Sequence, residues 1–154
     1  TASILAPQLS GEALVYVGGT TGSPGTATLS GQVTAGNFTK FGAGNLLLSG
    51  TNTYAGATRM TAGVLDIGSD TALGTGASAL LAISGGIVRA VDGTDAAAPR
   101  TLANPVSLDG DLVVYGSGNL TLNGAVTMSP PWAPTPPGVA PAAKAGPTAG
   151  WDNR

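Results

Sequence analysis

The chain has 154 residues with a formal net charge of −2; 9% are charged, 42% hydrophobic, 25 are Gly and 11 are Pro. That mix is too apolar for a disordered chain and too poor in Lys, Glu and Arg for a helical bundle, which leaves an all-β chain with many turns. Cys and His are both absent, which removes disulfides, thiolate metal sites, the usual proton shuttle and the commonest metal ligand, so neither a cofactor nor a metal is expected.

The six basic residues, Lys40, Arg59, Arg89, Arg100, Lys144 and Arg154, are scattered, whereas a nucleic-acid partner requires them gathered into a stripe. No stretch approaches the roughly 20 apolar residues that span a bilayer, and no basic-then-apolar leader follows Thr1. The expectation is a processed or excised fragment whose export signal lies in other sequence.

In chain order, strands are predicted at residues 14–17, 26–29, 45–48, 57–60, 64–67, 80–83, 87–91, 105–108, 112–115 and 119–122. Several stop at a small polar residue followed by Gly: Leu29-Ser30-Gly31, Leu48-Ser49-Gly50, Ile83-Ser84-Gly85, Leu108-Asp109-Gly110 and Leu122-Asn123-Gly124. Ser, Asn and Asp bond the local backbone and Gly takes positive φ, so each such triplet reads as a corner. Leu46 and Leu48 against Leu47, and Leu120 and Leu122 against Thr121 and Asn123, alternate to give one inward face; Val64, Asp66 and Ile67 break that rule. The Gly-rich stretch from Gly18 to Gly25 lacks the Lys and following helix of a phosphate cradle and reads as a loop.

Two internal matches point to stacked repeats. The segment 42–50 aligns with 116–124 at an offset of 116 − 42 = 74, and 62–67 resembles 85–90 at an offset of 86 − 63 = 23. Three steps of the second nearly make the first, which predicts coils of roughly 20 to 25 residues in a solenoid and not the antiparallel strands of a sandwich. After Met128 the chain turns to Ser129-Pro130-Pro131-Trp132 and a Pro/Ala/Gly run containing Trp151. Pro removes ladder donors, so residues 1–128 are expected to form the solenoid and 129–154 a flexible tail, a linker or aberrant end in preference to a Pro-rich recognition motif.

Residues 38–68 carry more than this grammar. Phe38-Thr39-Lys40-Phe41-Gly42-Ala43-Gly44-Asn45-Leu46-Leu47-Leu48-Ser49-Gly50-Thr51-Asn52-Thr53-Tyr54-Ala55-Gly56-Ala57-Thr58, then Thr61-Ala62-Gly63-Val64-Leu65-Asp66-Ile67-Gly68, resembles the passenger-associated repeat of bacterial autotransporters. Thr101 to Gly110 and the second Gly-x-Gly-Asn-Leu unit resemble the coils that follow such a repeat, extending the likeness over residues 26–128. The resemblance implies a right-handed parallel β-helix exported through an outer-membrane β-barrel translocator and displayed at the cell surface or secreted. Its structural signature falls on Gly42, Gly44, Gly50, Asn52, Tyr54, Gly56, Thr58 and Gly63, and it brings no catalytic residue. Arg59-Met60 stands where the repeat has a Thr-Val-like pair, and the Pro-rich end replaces further coils.

Other candidate sites are weaker. Asp109 and Asp111 flank Gly110, and Asp92 and Asp95 flank Gly93-Thr94; both pairs read as turns before they read as Ca²⁺ ligands or an acid/base couple. Within Thr51-Asn52-Thr53-Tyr54, Asn52 is expected to bond the backbone at a corner and Tyr54 to pack over a coil edge, in preference to facing a glycan. Asn37-Phe38-Thr39 and Asn119-Leu120-Thr121 fit the glycosylation sequon, which carries no weight in a bacterial protein. A polysaccharide-active β-helix would need clustered charges; Asp66, Arg59 and Arg89 are the candidates, and their spacing gives no reason for them to converge. The chain therefore reads as a non-enzymatic structural segment supporting secretion and display. The alternative is an adhesin that binds host glycan or matrix, or associates with itself through the bare strand edges of open solenoid ends.

Overall fold

Short strands separated by Gly corners leave the chain one economical way to satisfy its backbone: turning repeatedly and bonding each turn to the next. The computed structural model describes residues 2–3, 11–20, 22–75, 81–92 and 96–128. Within them the chain is a parallel β-solenoid of about five turns, with no helix. The first strands are β1 (Ala2–Ser3), β2 (Glu12–Tyr16), β3 (Gly19–Thr20), β4 (Ser23–Pro24) and β5 (Thr26–Leu29). The middle of the chain forms β6 (Asn37–Phe41), β7 (Asn45–Leu48), β8 (Thr58–Met60), β9 (Val64–Ile67), β10 (Leu81–Ile83) and β11 (Ile87–Ala90). The last strands are β12 (Arg100–Leu102), β13 (Val106–Leu108), β14 (Val113–Val114), β15 (Leu120–Leu122) and β16 (Val126–Met128).

Two six-stranded sheets form the long sides. The first runs β1-β5-β7-β9-β11-β14 and the second β2-β6-β8-β10-β13-β16, and every neighbouring pair in both is parallel. A third, shorter side begins late, where β12 pairs with β15. In the second sheet Phe38 registers with Thr58, Thr58 with Leu81, Leu81 with Val106 and Val106 with Val126, giving steps of 20, 23, 25 and 20 residues. These match the coil length expected from the sequence.

Alternation then sorts the side chains. From the first sheet Leu46, Leu48, Leu65, Ile67 and Val88 point inward, and from the second Phe38, Met60, Leu81, Ile83 and Val106 meet them in one continuous core. Leu65 and Ile67 obey the alternation around an outward Asp66, so the strand that reads as irregular in sequence is regular in space. The inward rows run out at the last coil, where Val126 and Met128 are exposed.

Four features depart from the sequence reading. Strand β6 is missing from the sequence prediction because Lys40 interrupts its apolar pattern, and β12 and β16 are missing because β12 offers a single apolar residue and β16 only two, either side of Thr127. The loop 18–25 contains a small antiparallel hairpin, β3 with β4, closed by the Gly25 amide donating to the Gly18 carbonyl at 3.0 Å. The 74-residue match is not a coil repeat: Asn45–Leu48 lies in the first sheet, whereas Leu120–Leu122 lies in the third. One strand-and-corner grammar serves every side of the solenoid, so local likeness does not report position around the coil. The 23-residue match does, since Val64, Leu65, Asp66 and Ile67 register with Ile87, Val88, Arg89 and Ala90.

The core makes a direct prediction. Leu65 is fully buried between Leu46 and Val88 in adjacent coils, so Leu65→Ala is expected to cost about 2–5 kcal/mol in urea unfolding. Leu14 projects from the outer face and is largely exposed, so Leu14→Ala should stay within about 0.5 kcal/mol of the parent.

Candidate functional site

The distinctive chemistry of the described residues is concentrated in the seam between coils around residues 38–67. Asn52 sits in the connection from β7 to β8 and is buried. Its side-chain oxygen accepts from the Val33 amide of the preceding coil at 2.8 Å, and its side-chain nitrogen donates to the Ala72 carbonyl of the following coil at 2.5 Å. One amide group thus joins three successive coils on the side that, among the described residues, carries a strand ladder only from β12 onward. A carboxylate could not reproduce this, having no donor, and an apolar side chain would orphan two buried backbone groups. Asn104, two coils on, makes a related joint in the other direction, donating back to the Leu73 carbonyl of the preceding coil at 3.1 Å.

Tyr54 turns inward instead of lying over a coil edge as the sequence suggests. It is 2% exposed, its ring stacks on Phe38 with centroids 6.2 Å apart, and its hydroxyl bonds the Thr58 hydroxyl at 2.5 Å. Thr58 occupies an inward row between Phe38 and Leu81, where its hydroxyl would otherwise sit among hydrocarbon; the phenol answers it. Burial pushes the Tyr54 phenol from 10.0 up to about 12, with the Thr58 bond opposing. A surface for sugar stacking it cannot be.

The signature glycines lie at the corners and coil contacts. Gly42 and Gly63 stand in equivalent corners of consecutive coils, both with positive φ, 86° and 78°. At Gly56 a Cβ would run into the Gly36 carbonyl and the Asn37 side chain of the coil before. Asn37 belongs to this joint too, its side-chain oxygen accepting from the Ala57 amide at 2.9 Å. Gly44 and Gly50 face carbonyls of the preceding coil, those of Gly18 and Gly31.

Lys40 is the residue whose role the sequence conceals. It points inward from β6 in the row of Val15, Met60 and Ile83, fully buried, yet its ammonium reaches the corner and donates to the carbonyls of Gly42 at 2.8 Å and Ala62 at 2.7 Å. It therefore ties its own corner to the next coil's. Desolvation lowers its pKa from 10.5 to about 8, and the charge of Asp66 opposes that fall.

Asp66 and Arg89 do converge. They are register partners in β9 and β11, and Arg89 donates two bonds to the carboxylate, at 2.6 and 2.7 Å. A one-residue slip would set Asp66 beside Val88 or Ala90, so the pair specifies register even where its net stabilisation is small. Arg59 is on the outer face of β8 in the other sheet and takes no part. Asp109 accepts from Ser107 at 3.3 Å and Asp92 from the Ala96 amide at 2.9 Å, both as turn contacts. Among the described residues no three acidic side chains gather as a metal site; Asp95, Trp132 and Trp151 lie outside those residues.

Stacked, in-register coils joined by this seam define a parallel β-solenoid. Residues 38–67 match the family described as Passenger-associated-transport-repeat. Over 111 residues the chain is 39% identical to the "Adhesin BmaC autotransporter" of Brucella suis biovar 1 (strain 1330), an alignment covering 66% of this chain and 3% of that protein. The chain thus spans a small fraction of its relative's length. No solved structure matches the chain.

Two tests follow. Asn52→Ala should destabilise by about 2–4 kcal/mol in urea unfolding, since two buried backbone partners lose their bonds. Between about pH 8 and 10.5 the unfolded chain holds the Lys40 proton that the folded chain has shed, so stability rises with pH. Above pH 10.0 the unfolded Tyr54 phenol ionises first, so stability falls toward about pH 12. Urea midpoints should therefore peak near about pH 10; Lys40→Met should abolish the rise and Tyr54→Phe the fall.

Proposed function

We propose that this chain is a non-enzymatic length of an autotransporter passenger whose coils support export and hold the protein out from the surface of a Gram-negative bacterium. The observation that carries this reading is the seam at Asn52, where one side chain bonds the coil before and the coil after. A coil already folded presents strand edges, corner carbonyls and a waiting Asn to the coil that follows, so folding proceeds from formed coil to forming coil. A passenger emerging unfolded through a pore could be drawn outward by that addition. The cognate partner is an outer-membrane β-barrel translocator, which in this reading belongs to the full protein and not to this chain. The eight signature residues act as scaffold and bind no ligand.

A second reading, adhesion, is favoured by the name of the Brucella relative and by the exposed aromatic side chains on one outer face. Self-association through the open last coil, where Val126 and Met128 are uncovered, belongs to the same reading.

The first reading is tested by fusing the chain to an autotransporter β-barrel and measuring surface exposure by external protease. Gly56→Val, which forces a side chain into the Gly36 carbonyl, should sharply lower the displayed amount while total synthesis holds. Equal display of parent and variant would contradict the proposal.

A further inference from the structure

The outer face of the second sheet combines three features found nowhere else among the described residues. Tyr16 of β2 and Phe41 of β6 are register partners standing outward with rings 5.3 Å apart, and they are 66% and 37% exposed. Large aromatic faces left in water are unusual, and both of these lie on one sheet surface. Elsewhere among the described residues Phe38 and Tyr54 are buried, while Tyr115 stands exposed away from this face.

The second feature is a free cation. Lys40 bonds two carbonyls, Arg89 is paired with Asp66, and Arg100 donates to the Val91 carbonyl. Arg59 alone among the described basic residues has neither a hydrogen bond nor an ion pair, and it is exposed on the same face. Thr39 registers with Arg59, and Phe41 lies two residues further along that strand, so Phe41 and Arg59 are diagonal neighbours about 8 Å apart by sheet spacing.

The third feature is the ground around them. Ala82 registers with Arg59 on the next coil, a small outward side chain that is itself buried. Opposite it, the Thr39 hydroxyl donates to Glu12 and keeps a lone pair free to accept.

We infer that the outer face formed by Tyr16, Phe41, Thr39 and Arg59 binds a carboxylated glycan, with a sugar ring lying on the aromatic pair and its carboxylate held by the Arg59 guanidinium. The spacing suits this class: a pyranose is about as wide as one strand separation, so a ring over Phe41 places a ring substituent within reach of Arg59. A guanidinium meets a carboxylate through two parallel bonds, and a side chain with no partner gives up none to do so. An acidic peptide could satisfy Arg59 but would make no use of the exposed aromatic rings beside it, which stand tilted at 54° to each other. The proposal rests on the adhesion reading and gives it a ligand class and a place. It is independent of the secretion reading, because it concerns the outer face of folded coils and not how they form.

The test is binding of the full chain to hexuronate- and sialate-bearing oligosaccharides, to their neutral counterparts and to a poly-glutamate peptide, followed by calorimetry or tyrosine fluorescence. The parent should bind the carboxylated sugars and prefer them to the neutral ones. Arg59→Gln should weaken that binding by about tenfold or more, and Phe41→Thr should also weaken it. Val114→Ala, an exposed position on the other long sheet, should leave it unchanged. Urea midpoints of the variants, measured alongside, separate lost contact from lost fold; Arg59→Gln removes an exposed side chain and should melt like the parent. Absence of carboxylated-sugar binding by the parent, unchanged affinity in Arg59→Gln, or preference for the peptide would each overturn the assignment. A negative result here, with display still dependent on Gly56, would leave the secretion reading standing.

Discussion

A chain that turns every few residues cannot close its hydrogen bonds within a coil; each coil must pass its amides and carbonyls to the coils above and below. Every other feature depends on that constraint. It demands strands in parallel register, corners tight enough to repeat at nearly the same place, and interior side chains stacked in rows. On two sides of this solenoid the strands meet the demand by pairing. On the third side, among the described residues of the early coils, no strand ladder runs; backbone bonds from Thr53 to Val33 and from Asn52 to Thr71 cross the coils there, and the Asn52 side chain adds one acceptor and one donor. When β12 and β15 form, ladder bonding takes over that side.

The polar residues inside this seam are coherent once seen as answers to backbone geometry. Lys40 lies along a hydrocarbon row with its head at two corner carbonyls, so its stem fills the core while its nitrogen serves the turn. Even the neutral amine keeps two hydrogens for those two carbonyls, so losing the proton removes a desolvated charge without breaking the clamp. Tyr54 and Thr58 form a closed polar pair in the same core. Among the described residues no buried side-chain nitrogen or oxygen lacks a partner, as a core with this many polar insertions requires.

How much of this was legible in the sequence depended on whether the signal was local. Corners were legible, because Ser-Gly and Asn-Gly announce a turn from two adjacent residues; Thr26–Leu29, Asn45–Leu48 and Val64–Ile67 stand where the pattern puts them. The passenger repeat was legible through its ordered glycines. The phase of each strand around the coil was not, and the match of 42–50 with 116–124 misleads because a corner looks alike on every side. Strand β6 was hidden by Lys40, which reads as surface until its nitrogen is seen at the Ala62 carbonyl, 22 residues away in sequence. The pairing of Asp66 with Arg89 and the stacking of an inward Tyr54 on Phe38 belong to the same class: each depends on a neighbour one coil away, which spacing alone does not single out.

The central claim is that a side chain carries a cross-coil bond that in other coils the backbone makes. Native-state hydrogen exchange at the Val33 amide reads it most directly, since that amide donates to the Asn52 side chain. The account predicts that in Asn52→Ala the Val33 amide loses its protection while ladder amides of β7 and β9 still exchange slowly. A Val33 amide equally protected with and without the Asn52 side chain would contradict it.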